Sequence, residues 1–295
     1  MAERKMKFLV LGATGMAGHT IAIYLQERGH DVTTFTTSPF PYCRNIIGDA
    51  LDGALLKSVI LEGGYDRVIN CIGILNQACD RNPAQAVYLN SYLPHFVAGT
   101  IAGTRTRLIH MSTDCVFSGK SGQYHEHSFR DGETFYDRTK ALGEVDDSVN
   151  LTFRNSIIGP DINENGIGLF NWFMRQNEPV QGYSQAIWTG VTTLVLARAM
   201  ERAASENLTG IYNLVNNTVI SKYDLLMLFN RILRHGKIKI TPNPESKVNK
   251  SLINNRHDFS FQVPSYEQMV IEMKDWIIQH QSLYPHYRDQ FAELR

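Results

Sequence analysis

The chain has 295 residues, 43% hydrophobic and 20% charged, and its 29 Lys+Arg are balanced by 29 Asp+Glu. That is ample for a buried core, and the even charge excludes general nucleic-acid binding or a polybasic membrane contact. No stretch approaches the ~18 consecutive apolar residues of a membrane span, and the apolar run at 8–11, after a polar, basic start, is too short for a signal-peptide core, so a cytoplasmic protein is expected.

Residues 7–11 read as a short buried strand. Gly12-Ala13-Thr14-Gly15-Met16-Ala17-Gly18 is the turn that opens a helix over 19–28, and Gly29 stops it. A β-branched strand over 31–36 and a third over 45–49 follow, then a helix from 52 to about 61 and a fourth strand over 67–72. A helix is expected over 84–102, with Pro94 a kink or break inside it. A fifth strand (107–111), a helix (135–149) and a sixth strand (151–154) complete this half. Strand and helix alternate, and the strands are uniformly apolar, which is the pattern of a parallel sheet covered by helices on both faces. From 155 to 190 the chain turns rich in Gly, Asn, Gln and aromatics, as irregular segments lining a cleft do. Helices at 193–205, 222–233 and 266–279 and strands at 210–215 and 237–241 follow. With no linker or repeat, the two halves are expected to interleave.

Gly12, Gly15 and Gly18 sit where a strand turns into a helix. The first allows a tight turn, the second close approach of a pyrophosphate and the third close helix–sheet packing, with the helix N-terminus facing the anion. Thr14 and Met16 join this turn as candidate cofactor contacts. The second strand ends in Thr36-Thr37-Ser38 with no carboxylate to hold a ribose diol or repel a 2′-phosphate. With Arg44 nearby this leans toward NADPH, NADH being the alternative. Asp49, followed by Ala50, can bond an adenine amine or cap the next helix. Cys71-Ile72-Gly73 ends the fourth strand, where the sheet edge faces the cofactor. Asn90 is mildly unfavourable inside a helix; it either holds a water that relays protons from a lysine or lies on the helix surface.

Ser112 and Thr113 end the fifth strand, and Tyr136 and Lys140 follow at i, i+4 on one helix face. Thr113 is expected to polarise a substrate carbonyl, Tyr136 to deliver the proton, and Lys140 to lower the tyrosine pKa and bond the nicotinamide ribose. His125-Glu126-His127 has no third ligand at a metal spacing, and Cys43, Cys71, Cys79 and Cys115 form no CxxC pair, so no metal and only reduced thiols are expected. Trp172, Phe173, Tyr183 and Trp188 are aromatics that stack on a ligand or fill the core.

Taken together, these residues resemble the extended short-chain dehydrogenase/reductases, and within them the dTDP-4-dehydrorhamnose reductase group. The likeness runs over nearly the whole chain. Its most specific marks are Ser112-Thr113-Asp114-x-Val116-Phe117-x-Gly119, then Gly122-x-Tyr124-x-Glu126, and Thr139-Lys140-x2-Gly143-Glu144; Gly48-Asp49 also belongs to it. The resemblance implies a Rossmann-like doubly wound α/β fold with a smaller, interleaved C-terminal lobe. The dinucleotide-binding unit would be 1–154 with about 190–215, and the sugar-nucleotide lobe about 155–189 with 216–295. It implies Thr113, Tyr136, Lys140 and Asn90 as catalytic residues. The implied reaction is NAD(P)H-dependent reduction of the C4 ketone of a nucleotide-linked 6-deoxy-4-ketohexose for surface polysaccharide. Ser112, Thr113, Asn155, Trp188 and Arg256 are the substrate candidates, and a homodimer is left open. Two departures stand out: Asp137 occupies the position of a usual glycine after the tyrosine, and Asn155-Ser156-Ile157 replaces Thr-Ser-Trp after the sixth strand. The second keeps a UDP-linked N-acetylated hexulose open. A non-catalytic NADP-binding subunit, like the methionine adenosyltransferase β subunit, is the alternative from another class. An epimerase or dehydratase is disfavoured, because Cys115 stands where a dehydratase carries Glu.

Overall fold

The computed structural model describes residues 4–291; residues 1–3 and 292–295 of the expected units lie outside it. In chain order the strands are β1 Lys7–Leu11, β2 Asp31–Thr36, β3 Arg44–Ile47, β4 Arg67–Asn70, β5 Arg107–Met111, β6 Leu151–Arg154, β7 Ile157–Ile158, β8 Val180–Tyr183, β9 Ala186–Trp188, β10 Val191–Thr192, β11 Gly210–Asn213, β12 Ile220–Ser221, β13 Ile240–Asn243 and β14 Val248–Asn249. The helices are α1 Met16–Glu27, α2 Gly53–Glu62, α3 Gln77–Arg81, α4 Pro83–Ala86, α5 Leu93–Ile101, α6 Phe135–Leu142, α7 Leu169–Met174, α8 Thr193–Glu206, α9 Lys222–Leu233, α10 Tyr266–Gln279 and α11 Arg288–Phe291.

Seven strands form one sheet in the order β11-β6-β5-β4-β1-β2-β3, all parallel. The order reverses between β1 and β4, and at such a switch point a crevice opens outside the carboxyl ends of the strands. Side chains alternate along β1 with period two. Phe8 and Val10 join a core with Ile21, Phe153 and Phe170 on one side. Leu9 and Leu11 join Val68, Val97 and Leu108 on the other. Burial on both faces is why these strands read as continuous apolar runs rather than alternating ones.

The chain after 154 packs mostly on the first of these cores, which continues through Phe229, Trp276 and Tyr284. It holds three small sheets of its own, β7–β10, β9 with β12 and β14, and β8–β13. Helices α8, α9 and α10 start at Thr192, Ser221 and Ser265, whose hydroxyls each accept a backbone N–H from the first turn, satisfying an otherwise orphaned donor. A buried relay ties this part to α1. One ring nitrogen of His19 meets the Gly15 carbonyl at 3.0 Å and the other meets the Tyr284 hydroxyl at 2.8 Å. The Trp276 indole N–H donates to the same hydroxyl.

Three segments differ from expectation. The helix expected over 135–149 ends at Leu142: Gly143 follows, and a Cβ there would stand 1.8 Å from the Asn90 carbonyl oxygen. The helix expected over 84–102 is α4, a π-helical stretch Val87–Tyr92, then α5. Pro94 falls in the first turn of α5, where its missing N–H costs little, and the irregularity lies in the wide turn before it. The region 155–190 carries three short strands and α7 rather than being wholly irregular.

Candidate active site

Every expected catalytic element reaches the carboxyl edge of the sheet near the switch point. Gly12 (φ +82°) makes the turn after β1, a conformation only glycine adopts easily. A Cβ on Gly18 would lie 2.3 Å from the Gly12 carbonyl, so this glycine is demanded by packing. Gly15 is different: a Cβ there would meet nothing closer than 3.5 Å. It serves as the N-cap of α1 without a side-chain bond, and no acidic residue lies in the first turn. The protein leaves this helix end open to an anion, and the turn fits a dinucleotide pyrophosphate. Met16 touches the space beside Gly168 of the second lobe.

The adenosine end is less well furnished than the sequence suggested. Thr37 and Ser38 are exposed just past β2, but the Thr36 hydroxyl is committed to the Ser38 carbonyl at 2.7 Å. Arg44 pairs in register with Thr33, three residues back from Thr36, and interacts with Tyr65. It therefore lies toward the amino edge, away from any 2′-phosphate at Thr36. Asp49 is exposed and accepts the Leu51 N–H, while Asp52 is the residue that caps α2. Ala50 is buried in the core with Phe35 and Leu56, so any contact to a cofactor falls to its backbone.

Cys71-Ile72-Gly73 runs between the glycine turn and the catalytic helix. Ile72 contacts Gly12, and burial pushes the Cys71 thiol up to about 12 despite the opposing charge of Lys140. Asn90 is fully buried. Its carbonyl oxygen accepts the Ile74 N–H at 2.8 Å, and its amide donates to the Ile74 carbonyl and the Thr139 hydroxyl. Full burial overturns the alternative that it lies on the helix surface. It braces the loop after β4 against the residue preceding Lys140.

Tyr136 and Lys140 are both buried on α6. The Lys140 ammonium donates to the Met111 carbonyl at 2.6 Å. Burial lowers its pKa to about 8, against the pull of Glu144. Burial raises the Tyr136 phenol, helped by Cys115 and opposed by the Thr113 hydroxyl, with Lys140 not among the main influences. In the ligand-free site burial dominates, and the phenol is held in its protonated form. Thr113 caps the short turn Asp114–Val116, accepting the Cys115 N–H and donating to Asp114, each at 3.1 Å. Asp137 has a local purpose. Its carboxylate accepts the Thr134 N–H while Thr134 accepts its own, closing a capping box, and Lys250 stands 3.7 Å away.

Beneath the site lies a buried ion pair. Arg154 forks onto Glu144 at 2.7 Å through two nitrogens, and Ser112 donates to the same carboxylate at 2.7 Å. Ser112 is thereby spent inside the protein, which removes it from the substrate set. Asn155 follows at the end of β6 with both amide atoms buried and unpartnered, a free polar group of the kind a ligand satisfies. Trp188 is buried against Tyr266. Arg256 is a correction: its guanidinium donates to the Thr209 and Ile211 carbonyls and pairs with Asp258, beside the start of β11 and so at the wrong edge. Two lysines escaped the sequence reading. Lys250 and Lys222 come from the second lobe, and both act on buried Asp114. The only trace was Gly119 (φ +84°), where a Cβ would meet Val248 at 2.5 Å and Lys250 at 2.9 Å. The motif glycine is where the second lobe seats against the catalytic loop.

The family profile described as RmlD substrate binding domain matches residues 6–260. The chain belongs to this family. Among curated RmlD-type relatives it is 31% identical over 141 residues to dTDP-4-dehydrorhamnose reductase of Streptomyces griseus, covering 47% of this chain and 43% of that one. It is 30% identical over 140 residues to methionine adenosyltransferase 2 subunit beta of Xenopus laevis, covering 46% and 41%. The chain thus spans about half the length of the curated relatives it matches. The crystal structure of dTDP-4-dehydrorhamnose reductase (rfbD) from Bacillus anthracis str. Ames in complex with NADP superimposes with a TM-score of 0.77 at 17% identity, covering 92% of this chain and 99% of that one. That likeness establishes the RmlD-type fold.

Proposed function

We propose that the chain reduces the C4 ketone of a nucleotide-linked 6-deoxy-4-ketohexose with NADPH, NADH being the alternative, in the making of surface polysaccharide precursors. The observation that carries this reading is the convergence of Thr113, Tyr136 and Lys140 beside an uncapped glycine-rich helix end. The turn from Gly12 to Gly18 would hold the cofactor pyrophosphate and Thr37 with Ser38 its adenosine end. When bound, the cofactor supplies the hydride. Tyr136, kept protonated by burial, gives its proton to the ketone oxygen. The substrate oxygen competes with Asp114 for the Thr113 hydrogen. Lys140, with a pKa near 8, is mostly an ammonium at neutral pH and stabilises the phenolate left one helical turn away. Asn155 offers its unspent amide to the sugar. The likeness to an adenosyltransferase subunit favours no second reading, since a pure binding module has less need of all three groups.

Purified protein given dTDP- or UDP-linked 4-keto-6-deoxyhexoses should oxidise NADPH. No turnover on either class, together with a stoichiometric protein partner in pull-downs, would point to the regulatory-subunit reading instead. No helix among the described residues is long and apolar enough to cross a membrane, and a cytoplasmic location is part of the proposal, to be checked by fractionation. So is a homodimer, favoured by exposed Val87, Tyr92 and Leu142 on and near the catalytic helices. Light scattering should then give twice the 33.4 kDa chain mass.

A further inference from the structure

A cavity of about 850 Å³ opens at the amino edge of the sheet, lined by Arg4, Arg67, Arg105, Arg107 and Arg202 among others. Arg67 begins β4 and Arg107 begins β5, so the cavity is separated from the catalytic edge by the length of the strands, roughly 15 Å. The catalytic scheme uses none of these residues.

The charge there is unbalanced, although the chain as a whole is neutral. Five arginines face two carboxylates, Asp66 and Glu201. Glu201 is already occupied by Tyr24, Arg28 and His30. Asp66 accepts the Lys7 N–H and stands 3.7 Å from Arg4, and Arg202 is paired with Glu206. Arg67 is 7% exposed, and its bonds go to neutral oxygens alone: the carbonyls of Asp66 and Ala204 and the Asn207 side chain. The side chains of Arg105 and Arg107 have no hydrogen-bond or ion-pair partner among the described residues. A buried guanidinium with no carboxylate bonded to it and only the charge of Asp66 nearby, flanked by two uncommitted ones in a concave wall, focuses a positive field into the cavity. Guanidinium forks match phosphate oxygens in geometry. The volume is far larger than one phosphate needs and falls within the range of about 300–1,000 Å³ usual for small-molecule sites. Met6, Val149 and Ala204 add an apolar wall.

We propose that this cavity binds a small molecule of the nucleoside diphosphate class, its phosphates on Arg67, Arg105 and Arg107 and its apolar part on Met6 and Val149. The site is independent of the catalytic edge. Calorimetric titration of the full chain with inorganic pyrophosphate and with ADP tests it. Both should bind, and more weakly as salt is raised. The double reversal Arg105→Glu/Arg107→Glu should weaken both by about 30-fold or more, the loss expected for two charge-assisted contacts, with the melting temperature unchanged. If the double reversal fails to fold, Arg105→Gln alone should weaken pyrophosphate about 5-fold. Absence of binding up to millimolar pyrophosphate overturns the proposal. So does ADP binding that is indifferent to these changes, because the nucleotide is then held at the glycine turn.

Discussion

Replacing Lys140 by Met should stabilise the ligand-free protein at neutral pH while destroying its activity. The lysine is buried, and its pKa is lowered from 10.5 to about 8. A lysine depressed in the folded state destabilises it fully below the folded pKa, and the penalty fades as pH rises from about 8 toward 10.5, because only the unfolded chain then keeps the proton. From these two values the charged form costs about 3 kcal/mol at pH 7 and about 1.5 kcal/mol at pH 9.5. Against this stands the bond to the Met111 carbonyl, a charged hydrogen bond worth about 1.5 kcal/mol. The Met variant should therefore be more stable by about 1–2 kcal/mol at pH 7 and nearly equal to the parent at pH 9.5. Urea unfolding of both proteins at the two pH values, without cofactor, measures the difference. A variant less stable at pH 7, or a gap that does not close with rising pH, refutes the reasoning that burial governs this lysine.

Four other outcomes follow from the site. Tyr136→Phe should lower kcat by about 100- to 10,000-fold and leave the cofactor Kd, read by fluorescence quenching, almost unchanged. Gly15→Ala should keep its melting temperature but lose cofactor affinity, whereas Gly18→Ala, which collides with the Gly12 carbonyl, should lose about 1–3 kcal/mol in denaturant titration. Asp137→Gly, which restores the family's usual residue, should cost about 1 kcal/mol of stability through loss of the capping box; a gain would show that its charge near the phenol matters more. Arg256→Met should lower stability in thermal unfolding without changing KM, as befits a side chain spent on the Thr209 and Ile211 carbonyls.

The sheet was legible because its strands are buried on both faces and its later helices carry clean apolar stripes; α9 and α10 begin and end where the periodicity says. The end of α6 was legible in Gly143, a helix stop signal, but the reason a glycine stands there was not: a Cβ would strike the Asn90 carbonyl, a contact between segments far apart in the chain. The same holds for Asn90, whose partners are the Ile74 backbone and Thr139. Arg44 misled because closeness in sequence to Thr36 says nothing of register: parallel pairing places it opposite Thr33. Arg256 misled because a cation in the part of the chain after 154 has two sheet edges to serve. Lys250 carries no motif at all, and only the lobe packing at Gly119 brings it near Asp114 and Asp137.

The relay from Gly15 through His19 to Tyr284 has a consequence for how the protein is made. The glycine turn is synthesised well before its buttress, which arrives 265 residues after His19. A nascent chain can form β1 and α1 early, but the turn gains its final support only when the segment holding Trp276 and Tyr284 has also left the ribosome. Proteolytic loss of the segment around Tyr284 would then be felt far away in the sequence, as a loosened turn at Gly15.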